Sequence, residues 1–115
     1  MVEKIVNVSG KEVRFKSTAA TMRIYRNNFK SDMLADVFKL QKTFNKKKTA
    51  EEQFDAIDLG IFEQLAWAMA KTADPNTKPI DNWLDDFETF AIQEILPVLL
   101  ELLTDNLQSI NAPKN

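Results

Sequence analysis

The sequence predicts a mainly α-helical fold, with about five helices in a compact bundle behind a short N-terminal β-hairpin, all in one domain over residues 1–115. Three observations lead there. Apolar residues recur at i, i+3, i+4 and i+7 along most of the chain beyond residue 18. Only 2 Gly and 4 Pro occur among 115 residues, too few for a loop-rich fold. The first residues instead alternate apolar and polar about one Ser-Gly pair. The boundaries read as a hairpin over 1–17, helices over 18–110 and a disordered tail over 111–115.

Val6, Val8, Val13 and Phe15 alternate around Ser9-Gly10-Lys11. A two-residue loop at Gly10-Lys11 is expected, setting Val8 opposite Val13 and Val6 opposite Phe15, with Gly10 at the positive-φ position of a type II′ turn. Ser17 or Thr18 caps the first helix, where Met22, Tyr25 and Phe29 share a face and Arg23, Arg26 and Lys30 line another. Ser31-Asp32 opens a second helix with an apolar stripe of Leu34, Val37, Phe38, Gln41 and Phe44. Asn45 to Lys48 read as a solvated link. Thr49-Ala50-Glu51-Glu52 has capping-box spacing and starts a helix over about 50–73. Phe54, Ile57, Ile61, Leu65 and Ala68 form one face of it, and Ala56, Gly60, Trp67 and Ala70 lie nearly opposite. Such a helix is central to the fold or covered by a partner. Asp74-Pro75 ends it. Asp81 is expected to cap a short helix with Trp83, Leu84 and Phe87, and a last helix spans about 88–110, with a kink or restart at Pro97.

Composition narrows the chemistry. With no Cys and no His, disulfides, thiol nucleophiles and imidazole acid/base catalysis are excluded. Residues 1–49 carry 12 Lys and Arg against 4 Asp and Glu, whereas 50–115 carry 3 against 13. The halves can neutralise one another on folding, or the molecule can have a basic and an acidic end that steer charged partners. The longest apolar run, Ile95 to Leu103, contains Glu101 and is far short of a membrane span. A cytoplasmic location is expected.

Carboxylate pairs are the available catalytic groups: Asp55 with Asp58, Asp81 with Asp85, Asp85 with Glu88. Nothing beside them completes a site, and Asp81, Asp85 and Asp86 lack the ligand spacing of a calcium loop. No enzymatic activity, metal or cofactor is expected. Arg23, Arg26 and Lys30 with Lys46-Lys47-Lys48 can meet phosphates, beside Tyr25 or Phe29 for stacking. The sequence pI near 5.2 argues against a nucleic-acid module. Trp67 and Trp83 are the residue type that anchors protein interfaces.

Several segments, taken in order, carry a resemblance. Arg14-Phe15-Lys16-Ser17-Thr18-Ala19 precedes Arg23-Ile24-Tyr25-Arg26-Asn27-Asn28-Phe29 and Asp32. Trp67-Ala68-Met69-Ala70-Lys71-Thr72-Ala73-Asp74-Pro75 precedes Trp83-Leu84-Asp85-Asp86-Phe87 and Glu94-Ile95-Leu96-Pro97. Over about residues 13–103 the set resembles the tail assembly chaperones of long-tailed phages and prophages of Gram-positive bacteria. The chain departs from that pattern at Lys30, where the resemblance expects Gly after Phe29, and at Leu102-Leu103-Thr104, where relatives tend to end in Leu-Trp.

The resemblance implies a non-catalytic protein of the bacterial host cytoplasm, absent from the mature virion. It implies that the tape-measure protein is bound and that tail-tube subunits are recruited around it. A chaperone of an amphipathic helical client needs an apolar groove with a polar rim. Trp67, Trp83, Leu96, Leu99, Leu100 and Leu103 are the residues expected to form it. Arg23, Arg26 and Lys30 on one copy, and Asp81, Asp85 and Asp86 on the next, are the surfaces expected for self-association along a client. The runner-up is a small prophage DNA-binding or regulatory protein using the basic half.

Overall fold

A computed structural model describes residues 2–43 and 58–111, with five helices and one two-stranded antiparallel sheet among them. Strands β1 (Val2–Val8) and β2 (Lys11–Ser17) are followed by α1 (Ala19–Phe29), α2 (Met33–Thr43), α3 (Leu59–Ala73), α4 (Ile80–Asp85) and α5 (Ile92–Asn111).

The hairpin turns at Ser9-Gly10, one residue earlier than expected. Val8 faces Lys11, Val6 faces Val13 and Lys4 faces Phe15, so the expected pairs Val8–Val13 and Val6–Phe15 are corrected. Ser9 and Gly10 have φ of +54° and +86°, the two positive values of a type I′ turn, whose twist suits the flanking strands. Gly10 N–H donates to Asn7 Oδ1 at 2.9 Å and braces it. The two registers differ by two residues, so the same side chains point inward in both. Val8, Phe15 and Ser17 are buried and Val6 and Val13 half-buried; alternation cannot tell the registers apart.

Thr18 caps α1. Its hydroxyl accepts from Ala20 N–H at 3.1 Å, and its own N–H donates to Thr21 Oγ1 at 3.0 Å. The helix buries Thr21 and Tyr25 and ends at Lys30 in the left-handed conformation, φ +55°. In α2 the expected stripe is wrong by part of a turn. Met33, Asp36, Val37 and Leu40 face inward, while Phe38 is 58% exposed. The Gln41 side chain and Phe44 lie outside the described residues.

A helix running unbroken through 50–73 is also corrected. Asp58 is extended, and its carboxylate accepts from Ile61 N–H at 3.2 Å, so an N-terminus stands there and α3 starts at Leu59. The link at 45–48, the Thr49–Glu52 box, Phe54, Ala56 and Ile57 lie outside the described residues. From Ile61 to Ala70 the helix buries eight residues on both of its apolar sides, and it packs against β2, α1, α2, α4 and α5. It is the central element, and of the described residues of the expected second face Gly60 alone is exposed.

Asp74 closes α3 as expected. Pro79, not Asp81, precedes α4, with no side-chain cap. α5 starts at Ile92 rather than near 88, leaving Phe90 ahead of it, and passes through Pro97 without restarting. It includes Asn111, the first residue assigned to the tail; 112–115 lie outside the described residues. No described helix is long and apolar enough to cross a membrane.

Candidate functional site

The residues expected to line an apolar groove do not form one on the surface of the described residues. Trp67, Trp83, Leu96, Leu99 and Leu103 are buried in the fold's own core, and Leu100 is half-buried against it. Trp67 Nε1–H donates to Lys78 O at 2.7 Å, and its ring meets Phe29 edge-on at 5.5 Å. Trp83 packs edge-on against both Phe87 and Phe90. The nearly all-round apolar α5 is covered from within, because α3 and both strands pack on it. The hairpin supplies part of that cover.

The charged residues do reach the surface. Arg23, Arg26 and Lys30 are exposed along α1 and line an open concavity of about 980 Å³, together with Met22, Asn27 and Met33. None of the three cations has a carboxylate partner among the described residues. Asp81 and Asp85 are exposed on α4, while Asp86 just beyond it binds Lys78 Nζ at 3.0 Å. The ion pair Lys4–Glu101, at 3.0 Å, links the basic and acidic halves. Among the described residues no three acidic side chains converge as a metal site. Of the carboxylate pairs, Asp55 lies outside the described residues and Asp58 is committed to capping α3. Asp85 and Glu88 share no helix, since α4 ends at Asp85.

A buried polar network was missed by the sequence reading. Tyr25 is fully buried, and its hydroxyl donates to Asp36 Oδ2 at 2.6 Å. Ser31 Oγ donates to the same oxygen at 2.9 Å, and Lys39 Nζ lies 3.8 Å from Oδ1. Gln64 contacts the phenol oxygen at 2.9 Å. Gln64 Oε1 is an acceptor, so the single phenol proton lies between two acceptors, with Asp36 Oδ2 the nearer. Burial, then the hydrogen bond to Asp36 and the charges of Asp36 and Asp58, push the Tyr25 pKa far above its ordinary value of 10.0. The phenol is locked neutral and cut off from solvent. It holds α1, α2 and α3 together and has no reach to a substrate. Asp36 lies off the expected stripe of α2; its place between Met33 and Leu40 on one helical face was the signal available.

The ring arrangement also bears on the nucleic-acid reading. Phe29 lies edge-on between Tyr25, at 5.1 Å, and Trp67. Tyr25 is buried and offers no face to a base, and Phe29 is half-buried with its ring engaged by both neighbours. The cations of α1 therefore stand without the stacking rings expected beside them.

Comparison of the chain with protein-family models, with curated proteins and with solved structures finds no match.

Proposed function

We propose that the chain is a tail assembly chaperone of a long-tailed phage or prophage, binding the tape-measure protein and helping to recruit tail-tube subunits during morphogenesis. It acts in the bacterial cytoplasm and leaves before the virion is complete. The observation that supports this reading is the backbone at residue 30. The resemblance expects glycine there, and the chain adopts the left-handed conformation that glycine favours, φ +55°, although it carries Lys. The departure is thus one of residue type at a place whose geometry fits the pattern. Phe15, Tyr25, Trp67, Trp83, Ile95 and Leu96, which belong to the resembling segments, are all buried. The residues that carry the resemblance are thus ones that build this fold.

With the tryptophans and leucines internal, the client contact falls on the exposed α1–α2 concavity. Ala19 and the half-buried Met22 supply its apolar lining and Arg23, Arg26 and Lys30 its charge. That combination suits an amphipathic helix with an acidic flank. The acidic α4 of a second copy competes for the same surface, and successive copies stack basic face to acidic face.

Co-expression with the tape-measure protein, followed by size exclusion with light scattering, tests the reading. The expected result is a soluble complex with several copies per client, from a client insoluble alone. Reversing Arg23 and Arg26 to Glu is expected to weaken it, and raising salt from low to physiological ionic strength to loosen it. A client that stays insoluble while this chain elutes alone overturns the proposal. The same row of unpaired cations favours a second reading, a DNA-binding protein, which salt-sensitive retention on duplex DNA would support.

A further inference from the structure

The two edges of the hairpin are unequal. A two-residue turn makes the flanking Val8–Lys11 pair hydrogen-bonded, and alternation carries that to Val6–Val13, Lys4–Phe15 and Val2–Ser17. The main-chain groups of Glu3, Ile5 and Asn7 therefore point out of the sheet beside β1, and those of Glu12, Arg14 and Lys16 beside β2. The β2 side is engaged. Thr21 Oγ1 lies 3.4 Å from the main-chain Lys16 O, and the Arg14 side chain donates through Nη2–H to Ala73 O at 3.2 Å. Beside β1, no main-chain partner from another element meets Glu3, Ile5 or Asn7 among the described residues. All three are exposed, and Ile5 is 60% exposed, the most accessible large apolar residue described. An open strand edge carrying an exposed Ile is a template for another strand.

We propose that this edge binds a second copy of the chain, β1 against β1, antiparallel about a two-fold axis through Ile5, so that two hairpins form one four-stranded sheet. The strand's own order points to that occupant. With the axis at residue 5, Ile5 meets Ile5 and Glu3 meets Asn7, using every outward main-chain group of the three residues. Lys4 meets Val6 on the inner face, so no two like charges stand opposite. An axis at Lys4 would oppose two lysines and put Ile5 against Glu3; one at Val6 would pair Glu3 with the turn residue Ser9. Lys4, a charge of the kind that discourages edge pairing, is drawn aside to Glu101 at 3.0 Å. Such a contact is isologous and closes at a dimer, so it is distinct from the basic-to-acidic stacking proposed above.

The test is sedimentation equilibrium of the full chain over a concentration series, with amide exchange read at Ile5. The mass is expected to rise from 13.2 kDa toward twice that value, and exchange at Ile5 to slow as it does. Ile5→Pro removes only an outward N–H and leaves the ladder to β2 intact, so a folded monomer is expected. Ile5→Lys sets two cations on the axis and is expected to weaken the dimer at least about tenfold, whereas Ile5→Thr keeps it. Unaltered helical circular dichroism in each variant separates lost pairing from lost folding. A chain monomeric up to about 1 mM overturns the proposal. So does a dimer insensitive to both Ile5→Pro and Ile5→Lys, or one whose Ile5 amide exchanges as freely as in the monomer.

Discussion

The central helix α3 is packed by two different chemistries. Toward α1 and α2 the seam is hydrogen-bonded: Gln64 reaches Tyr25, and Thr72 Oγ1 lies 2.8 Å from Thr21 Oγ1. Toward the C-terminal part the packing is dry. Phe62 meets Phe90, and Ile95, Leu96, Leu99, Leu102 and Leu103 are all buried without a polar member. The dry block gains stability in proportion to the apolar area it removes from water and tolerates many partners of suitable volume. The polar seam adds little net energy for each bond. It admits only one alignment of α1, α2 and α3, because any other leaves a buried carboxylate or hydroxyl unpaired.

Substitution should separate the two. Leu99→Ala, in the dry block, is expected to cost about 3 kcal/mol in urea unfolding, the lost transfer energy plus the cavity left behind. Leu99→Met should recover most of that, since volume is what the site requires. Asp36→Ala, in the seam, removes a residue only 4% exposed, takes the acceptor from Ser31 Oγ and leaves the Tyr25 hydroxyl with Gln64 Oε1 alone; about 2 kcal/mol is expected. Here volume gives no rescue, and Asp36→Leu should remain destabilising while Tyr25 is present. If Asp36→Leu were as stable as the parent, the seam would be ordinary packing and the contrast would fail.

Alkali should also find the seam and spare the block. The folded state holds the Tyr25 proton more tightly than the unfolded chain does. Above about pH 10 the unfolded state therefore loses a proton that the folded state keeps, and stability falls as pH rises, by at most about 1.4 kcal/mol per pH unit. Below pH 10 the phenol is protonated in both states and this contribution is flat. Tyr25 is the chain's single tyrosine, so phenolate absorbance reads it alone. Absorbance is expected to rise only together with unfolding, and Tyr25→Phe should flatten that part of the pH dependence. A smooth titration near pH 10 in a protein that stays folded would sink the assignment.

The same contrast explains what could be read from the sequence. The dry block was legible: Ile61, Leu65 and Ala68, then Ile95, Leu96 and Leu99, repeat at helical spacing, and apolar residues at that spacing have little choice of side. Tyr25 was legible on its face with Met22 and Phe29, but Asp36, Gln64 and Thr72 were not, because periodicity assigns no inward side to polar residues. In α2 the stripe Leu34, Val37, Phe38 won over Met33, Asp36, Val37, Leu40 because one position of the true stripe is charged. That charge is tolerable only beside Tyr25, eleven residues away, a pairing that periodicity does not encode. The hairpin register failed for another reason: a slip of two residues keeps every side chain on its face, and the choice was made by the turn and by Asn7. Of the candidate surfaces, Arg23, Arg26 and Lys30 were found because charge stays outside. The apolar groove was misplaced because interface anchors and core residues are the same types.

The smallest expected effect lies where α1 leaves the seam for α2, at Lys30. A non-glycine residue in the left-handed region carries steric strain of about 1 kcal/mol, partly offset because glycine gains more freedom in the unfolded chain. Lys30→Gly is therefore expected to raise stability by about 0.5 kcal/mol. The substitution also removes one of three neighbouring cations on the concavity, so relieved repulsion could produce the same sign. Lys30→Ala separates the causes, because it deletes the charge and keeps the strain. If strain is the cause, Lys30→Ala leaves stability unchanged and Lys30→Gly raises it at every ionic strength. If both variants stabilise equally, and only at low salt, repulsion among Arg23, Arg26 and Lys30 is the larger force. The concavity would then be a surface held under electrostatic stress until an acidic partner covers it.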